Sequence, residues 1–288
     1  MELRVLKYFL AVARERNISK AAKSLHLSQP TLSKQLKELE KELGVTLFER
    51  GNREIRLTEE GLFLLSRGNE ILALVEKTTI NLRKDEVVAG EIYVGGAETR
   101  AMSLIAKVTK RMMDDYPEIK IYLYSGNADD VMEKLDNGLL DFGIVVNPTN
   151  KQKYKSIRLP QTDKWGLLVR SNHFLAEKEA ITPEDLRGVP LLISQQRLVS
   201  DQISEWVGNN LDQLHIVGSY NLLYNASLMV EEGVGCALCI DGIINTANTS
   251  LIFVPLKPEL DASLSLIWKK NQTMSIAATK FLDKLKAD

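Results

Sequence analysis

Among the 288 residues only two are cysteine and three are histidine, and aromatic side chains make up 6%. His26, His173 and His215 are scattered and there is no second cysteine pair. The usual spacing of a structural zinc site is therefore absent, and no metal is expected. No apolar run approaches the roughly 20 residues needed to cross a bilayer, which excludes a helical membrane span. The opening Met1-Glu2-Leu3-Arg4 alternates charged with apolar residues and lacks the apolar core of an export signal. A cytoplasmic location without a membrane partner is the expectation. The sequence also lacks paired carboxylates in a catalytic motif, a G-x-S-x-G turn and a phosphate-binding loop. It is not expected to be an enzyme, and no residue is assigned a catalytic role.

The cysteines, Cys236 and Cys239, have C-x-x-C spacing but sit in the apolar run from Val234 to Ile240. That run reads as a buried strand, on which positions three apart face opposite ways. Inert core cysteines are expected rather than a redox pair.

What is present is an uneven distribution of charge. The chain is nearly neutral overall, at −1. Up to Leu57 there are 12 basic and 7 acidic residues, so that segment carries +5 and the remainder −6. A basic end on an acidic body points to a polyanion as partner of that end alone.

Leu6, Phe9, Leu10 and Ala13 share a helical face, and Val5, Tyr8 and Val12 form a second stripe. Ser19 is placed as the cap of a short second helix bearing Ala21, Ala22 and Leu25. After a turn at His26-Leu27, Ser28 caps a third helix, with Pro30 in its first turn. Leu32, Leu36, Leu39 and Leu43 line one face of that helix. Pro30, Ser33, Lys34, Lys37 and Lys41 lie opposite, at 100° per residue. In a helix-turn-helix this outer face enters the major groove of double-stranded DNA. Val45 to Arg50 and Glu54 to Leu57 read as two strands around Gly51-Asn52, a cationic hairpin or wing with Arg53 near its tip. The candidate DNA contacts are Gln29, Pro30, Thr31, Ser33, Lys34, Gln35, Lys37, Arg50 and Arg53. Thr58 caps a long helix with a heptad-like seam of Leu65, Leu72, Val75, Thr79 and Leu82, which suits self-association.

Beyond Val87 to Gly90, strands alternate with helices. Glu91 to Gly95, Ile119 to Tyr124 and Leu140 to Val146 read as strands, with a helix from about Thr99. Trp165 to Val169 starts a second lobe, and a final helix covers Thr273 to Lys286. This alternation implies an α/β fold with largely parallel strands. Ligands of such folds sit at strand ends beside helix N-termini, where anions are favoured. Thr99, Arg100, Ser125, Asn127, Ser194 and Gln196 are the candidate ligand residues. The ligand is expected to be a small anionic or polar metabolite, and Arg100 or Arg197 is a candidate for gripping a carboxylate. A solute-binding module of the transport type would account for the two lobes but not for the basic N-terminal module.

The runs Phe9 to Ala13, Ser19 to Ser33, Leu39 to Arg50 and Leu57 to Gly61 resemble the LysR-type transcriptional regulators. So do His173 to Ala176, Gly188 to Ser194 and the glycine-rich Glu232 to Ile240. Family members commonly carry proline near the end of this last run, where this chain has Cys239-Ile240-Asp241. The resemblance implies an N-terminal winged helix-turn-helix over 1–58 and a linker or dimerisation helix over 59–88. A two-lobed, periplasmic-binding-protein-like effector domain would follow over 89–288. Lobe I would take about 89–162 and 266–288, and lobe II about 163–265. It also implies a homodimer or homotetramer on a pseudo-palindromic promoter site, a small-molecule effector in the cleft between lobes, and RNA polymerase as a partner. No further cofactor is implied.

Overall fold

The structure, a computed structural model, describes residues 1–50, 55–82, 89–146, 152–195 and 197–287, with the side chains of 50, 80–82 and 197–200 left aside. The chain forms two compact units, Met1–Arg83 and Lys84–Asp288.

In the first unit α1 (Leu3–Glu15) ends where Arg16 turns left-handed at φ 49°. The cap of α2 (Ile18–Ser24) is Asn17, whose side chain accepts from the Lys20 amide at 3.0 Å. Asn17, not the expected Ser19, thus starts this helix. Both are good capping types two residues apart, and Asn17 is the one left extended outside the turn. The turn to α3 (Gln29–Leu43) runs through His26 at φ 55°. Ser28 caps α3 by accepting from the Thr31 amide at 3.2 Å, and Gly44 ends it at φ 71°. The strands β1 (Phe48–Arg50) and β2 (Ile55–Leu57) are antiparallel, with Phe48 opposite Leu57.

Thr58 ties the hairpin to α4 (Glu59–Leu82): its hydroxyl accepts from the Gly61 amide at 3.0 Å and donates to the Thr46 carbonyl at 2.7 Å. Leu6, Phe9, Val12, Leu32, Leu36, Leu39 and Leu47 fill the core. Burying each large apolar side chain contributes about 1.5–3 kcal/mol, the main force closing so small a unit. Leu65 and Leu72 pack half-buried against this same core. The seam read from the heptad spacing is therefore partly used within the chain. Leu62 and Phe63 are the apolar side chains that α4 leaves exposed near its start, at 55% and 67%.

The second unit contains β3 (Gly90–Gly96), α5 (Met102–Asp115), β4 (Ile119–Ser125), α6 (Ala128–Asp136), β5 (Phe142–Val146) and β6 (Tyr154–Arg170). After two short 3₁₀ turns come β7 (Leu191–Ser194), α7 (Arg197–Trp206), β8 (Ile216–Tyr220), α8 (Leu223–Glu231), β9 (Cys236–Ile240), β10 (Leu251–Pro255), β11 (Asp261–Lys269) and α9 (Ile276–Lys286). The strand order is β4-β3-β5-β11-β6-β9-β7-β8, with β10 also on β6. At each end three strands run parallel, β4-β3-β5 and β8-β7-β9, as helical crossovers require. The two lobes are joined by antiparallel β6 and β11. Through Lys164, β6 pairs with β11; from Trp165 onward it pairs with β9. Trp165 thus stands where one strand passes from the first lobe to the second.

The expected strand at Trp165 to Val169 is only the end of a 17-residue strand. The helix expected near Thr99 starts at Met102, and the last helix starts at Ile276 rather than Thr273. Cys236 belongs to the main core and Cys239 to a separate cluster with Leu168 and Ala226, and both thiols are free. Three residues of strand span about 10 Å, beyond the reach of a disulfide.

Candidate nucleic-acid interface and ligand cleft

Helix α3 presents a shallow concavity of about 410 Å³ lined by Gln29, Pro30, Ser33, Lys34, Lys37 and Lys41, with Glu38 at its edge. Gln29, Pro30, Thr31, Lys34 and Lys37 are exposed, and Ser33 and Gln35 are half-buried. Leu32, Leu36 and Leu39 hold the opposite face in the core. Glu38 receives Gln35 Nε2 at 2.9 Å and lies 3.9 Å from Lys34 Nζ. An exposed pair of this kind is worth little, so Lys34 stays available to another anion. Seven sequence-predicted residues are thereby brought to the first nine positions of one helix. Arg53 and the Arg50 side chain lie outside the described residues.

The hairpin is aimed by Glu40, a residue the sequence reading passed over. Its Oε1 accepts from the amides of Leu47 at 2.8 Å and Phe48 at 3.3 Å. The Ile55 amide donates to the Arg16 carbonyl at 3.3 Å. Gly61 approaches so closely that a Cβ would lie 2.2 Å from the Leu47 carbonyl oxygen. Recognition helix, wing and α4 are thus fastened at a single junction.

In the second unit, four of the six predicted ligand residues divide between two concavities and a cap. Thr99 and Ser125 line a concavity of about 270 Å³ with Met102, Tyr124 and Gly242. Ser194 lines a smaller cavity of about 40 Å³ with Glu98, Val146, Trp165, Tyr220 and Asn221. Glu98 borders both. The Thr99 hydroxyl donates to Asp163 Oδ2 and accepts from the Ala101 amide. Burial raises the Asp163 carboxyl above its ordinary range, against the lowering effects of the Thr99 hydrogen bond and the Arg100 charge; Asp241 raises it further.

Arg100 lies against the left-handed Gly242, where a Cβ would stand 2.0 Å from Arg100 Nε. Asn127 lines neither concavity; it caps α6, accepting from the Asp130 amide at 2.9 Å. With Asp129 and Asp130 in its first turn, α6 offers no welcome to an anion. Gln196 and the Arg197 side chain lie outside the described residues. The residue missed by the sequence reading is Glu98, whose Oε2 accepts the Leu223 amide of the other lobe at 2.8 Å.

A basic helix-turn-helix with a hairpin, joined to a two-lobed α/β unit with a cleft, defines a DNA-binding transcription regulator with a ligand-binding domain. The comparisons place it further. Residues 3–62 match the model of the bacterial regulatory helix-turn-helix protein, lysR family, and 85–288 match the LysR substrate binding domain. The chain belongs to the LysR family of transcription regulators.

A probable RuBisCO transcriptional regulator of Phaeodactylum tricornutum is 31% identical, over 99% of this chain and 95% of that protein. A hydrogen peroxide-inducible genes activator of Dickeya chrysanthemi is 31% identical over 93% and 90%. The crystal structure of CbnR, a LysR family regulator, superposes with a TM-score of 0.79 at 21% identity, covering 100% and 99%. CbnR bound to its target DNA gives 0.75 at 22% identity, covering the same shares. These structures share the fold. The relatives are transcription regulators, not enzymes. Among the described residues no helix is long and apolar enough to cross a membrane.

Proposed function

We propose that this regulator binds a pseudo-palindromic promoter site as a homodimer or homotetramer and that a small molecule in the cleft adjusts its action on RNA polymerase. The observation that carries the reading is the exposed face of α3, where Gln29, Ser33, Lys34 and Lys37 surround one concavity. Gln29 and Ser33 supply hydrogen-bonding groups of the kind that read base edges, and the lysines meet phosphates. Arg50 and Arg53 of the hairpin add phosphate contacts. The domain roles follow the sequence reading: DNA binding over 1–58, a linker helix over 59–88 and effector binding over 89–288.

Self-association through α4 is supported by exposed Leu62 and Phe63 rather than by Leu65 and Leu72, which pack on their own core. Two-fold symmetry of the protein demands a matching repeat in the site. Thr99, Ser125 and Ser194 are the effector contacts that the cleft supports. A ligand regulates only by preferring one arrangement of the lobes. The test is DNA footprinting with and without a metabolite found by thermal shift, repeated on Thr99→Ala and Ser194→Ala. A metabolite that stabilises wild type and both variants equally is not in this cleft. One that binds there and leaves footprint and transcription unchanged contradicts the coupling.

A further inference from the structure

The loop from β3 to α5 carries Glu98, Thr99 and Arg100, and each of the three meets a different element. The Thr99 hydroxyl donates to Asp163 Oδ2. Asp163 is buried on β6, two residues before Trp165, where that strand passes from the first lobe to the second. Thr99 therefore roots the loop beside the crossing. On either side of this root the loop holds the second lobe at a separate place. Glu98 Oε2 accepts from the amide of Leu223, the first residue of α8, at 2.8 Å. Arg100 lies across Gly242, in the turn after β9, where a Cβ would stand 2.0 Å from its Nε and 2.5 Å from its Cδ. Gly242 is left-handed at φ 75°, so glycine both suits this turn and leaves the room that Arg100 takes.

The two holds act on one packed body. Leu223, Ala226 and Val230 of α8 share a core cluster with Ala237 and Cys239 of β9. Two holds on one body, with a root at the crossing, restrain rotation about β6 more than either hold alone. The loop also stands between the two concavities, since Ala97, Glu98 and Ile243 line both.

We propose that Glu98, Thr99 and Arg100 form a clasp that fixes the angle between the lobes, so that a change of angle has to release Leu223 and Gly242 together. All the partners of this clasp belong to the chain itself. It differs from a plain helix cap because its parts are coupled. A cap protects the Leu223 amide through Glu98 alone, whereas in a clasp that protection also depends on Arg100, which holds a different element. The regulatory meaning of the clasp rests on the reading that lobe arrangement governs action on the promoter.

The test is hydrogen exchange on the full chain with no metabolite added, comparing wild type, Glu98→Ala and Arg100→Ala. The reporter is the Leu223 amide. The control is the Asp130 amide, which Asn127 caps at 2.9 Å within the first lobe. Glu98→Ala is expected to speed exchange at Leu223 about tenfold or more, as loss of a charged acceptor does. Arg100 is exposed, so its replacement leaves the core intact. Arg100→Ala should still speed exchange at Leu223 about threefold, with Glu98 in place. Asp130 keeps its wild-type rate in both variants.

A wild-type rate at Leu223 in Arg100→Ala makes Glu98 an ordinary cap and overturns the proposal, as does a wild-type rate in Glu98→Ala. Faster exchange at Asp130 in step with Leu223 shows general loosening and overturns it too. Footprinting and transcription with Glu98→Ala test the underlying reading separately. If Leu223 exchanges faster in both variants while footprint and transcription match wild type, the clasp stands and the control of DNA by lobe arrangement is contradicted.

Discussion

Replacing Glu40 by alanine would strip two backbone amides, Leu47 and Phe48, of their common acceptor. Leu47 is almost fully buried and Phe48 nearly so. Their amides therefore gain little from water in exchange. A hydrogen bond to a charged group is worth about 1.5–3 kcal/mol, but two bonds to one oxygen do not add in full. Glu40 is itself half-buried, which discounts the charge. A loss of about 2–3 kcal/mol is expected for Glu40→Ala, confined to the first unit. In a unit of this size each kcal/mol shifts the midpoint by about 4–8 °C. Glu40→Gln keeps an oxygen in place and should lose about 1 kcal/mol.

All three tryptophans, Trp165, Trp206 and Trp268, belong to the second unit, so their fluorescence does not report this change. Far-UV circular dichroism of the full chain, with hydrogen exchange of the Leu47 and Phe48 amides, does. Affinity for duplex DNA should fall as well, since the hairpin loses its tether to the recognition helix. Unchanged exchange at Leu47 and Phe48 in Glu40→Ala would refute the reasoning. Equal damage from Glu40→Gln would show that charge, not the position of an acceptor, is what matters.

Gly61→Ala forces a Cβ to within 2.2 Å of a backbone oxygen at the same junction, and chemical denaturation should register a loss of about 1–3 kcal/mol in the first unit. Burial pushes the Cys236 thiol up from 9.0 to about 11 and raises that of Cys239 further. Near neutral pH Cys236 then holds about a hundredfold less thiolate than a free thiol, so iodoacetamide on the native chain should label neither cysteine until it unfolds. Phe63→Asp on exposed α4 should weaken self-association in sedimentation while leaving the melting curve in place; an unaltered assembly would remove α4 near Phe63 from the interface.

A last prediction concerns pH. The Lys178 ammonium and the Thr182 amide hold the Asp185 carboxyl below the usual carboxylate range. Its contribution is present above the unfolded value near 4 and is lost as pH falls through the lower folded value. The urea midpoint of wild type should therefore exceed that of Asp185→Asn from neutral pH down to about pH 4 and converge with it below.

Much of the first unit could be read from local signals. Ser28, Pro30 and Gly44 mark both ends of α3, and the leucine spacing fixes which face is inward. The α2 cap was harder, because Asn17 and Ser19 are chemically equivalent candidates and only backbone geometry separates them. In the second unit the first half of β6 alternates polar and apolar side chains around Lys155, Ser156 and Arg158. It lacks the continuous apolar run that betrays a fully buried strand. The ligand residues were drawn from helix starts, which located Thr99, Ser125 and Ser194 around the cleft but also took in Asn127, a plain cap. Glu98 had no local signature, because its role depends on a helix 125 residues away. Trp165 likewise looks like any core aromatic until the strand topology puts it at the crossing between lobes.

The central claim is that the outer face of α3 meets DNA, and its most direct test is the salt dependence of binding. Fluorescence anisotropy would follow the full chain, wild type and Lys34→Ala/Lys37→Ala, on a duplex selected from a random pool, from low to physiological salt. Each lost phosphate contact should lower the log–log slope by about 1, so the double variant should bind more weakly with a slope smaller by up to about 2. The same affinity and slope in both proteins would contradict the account.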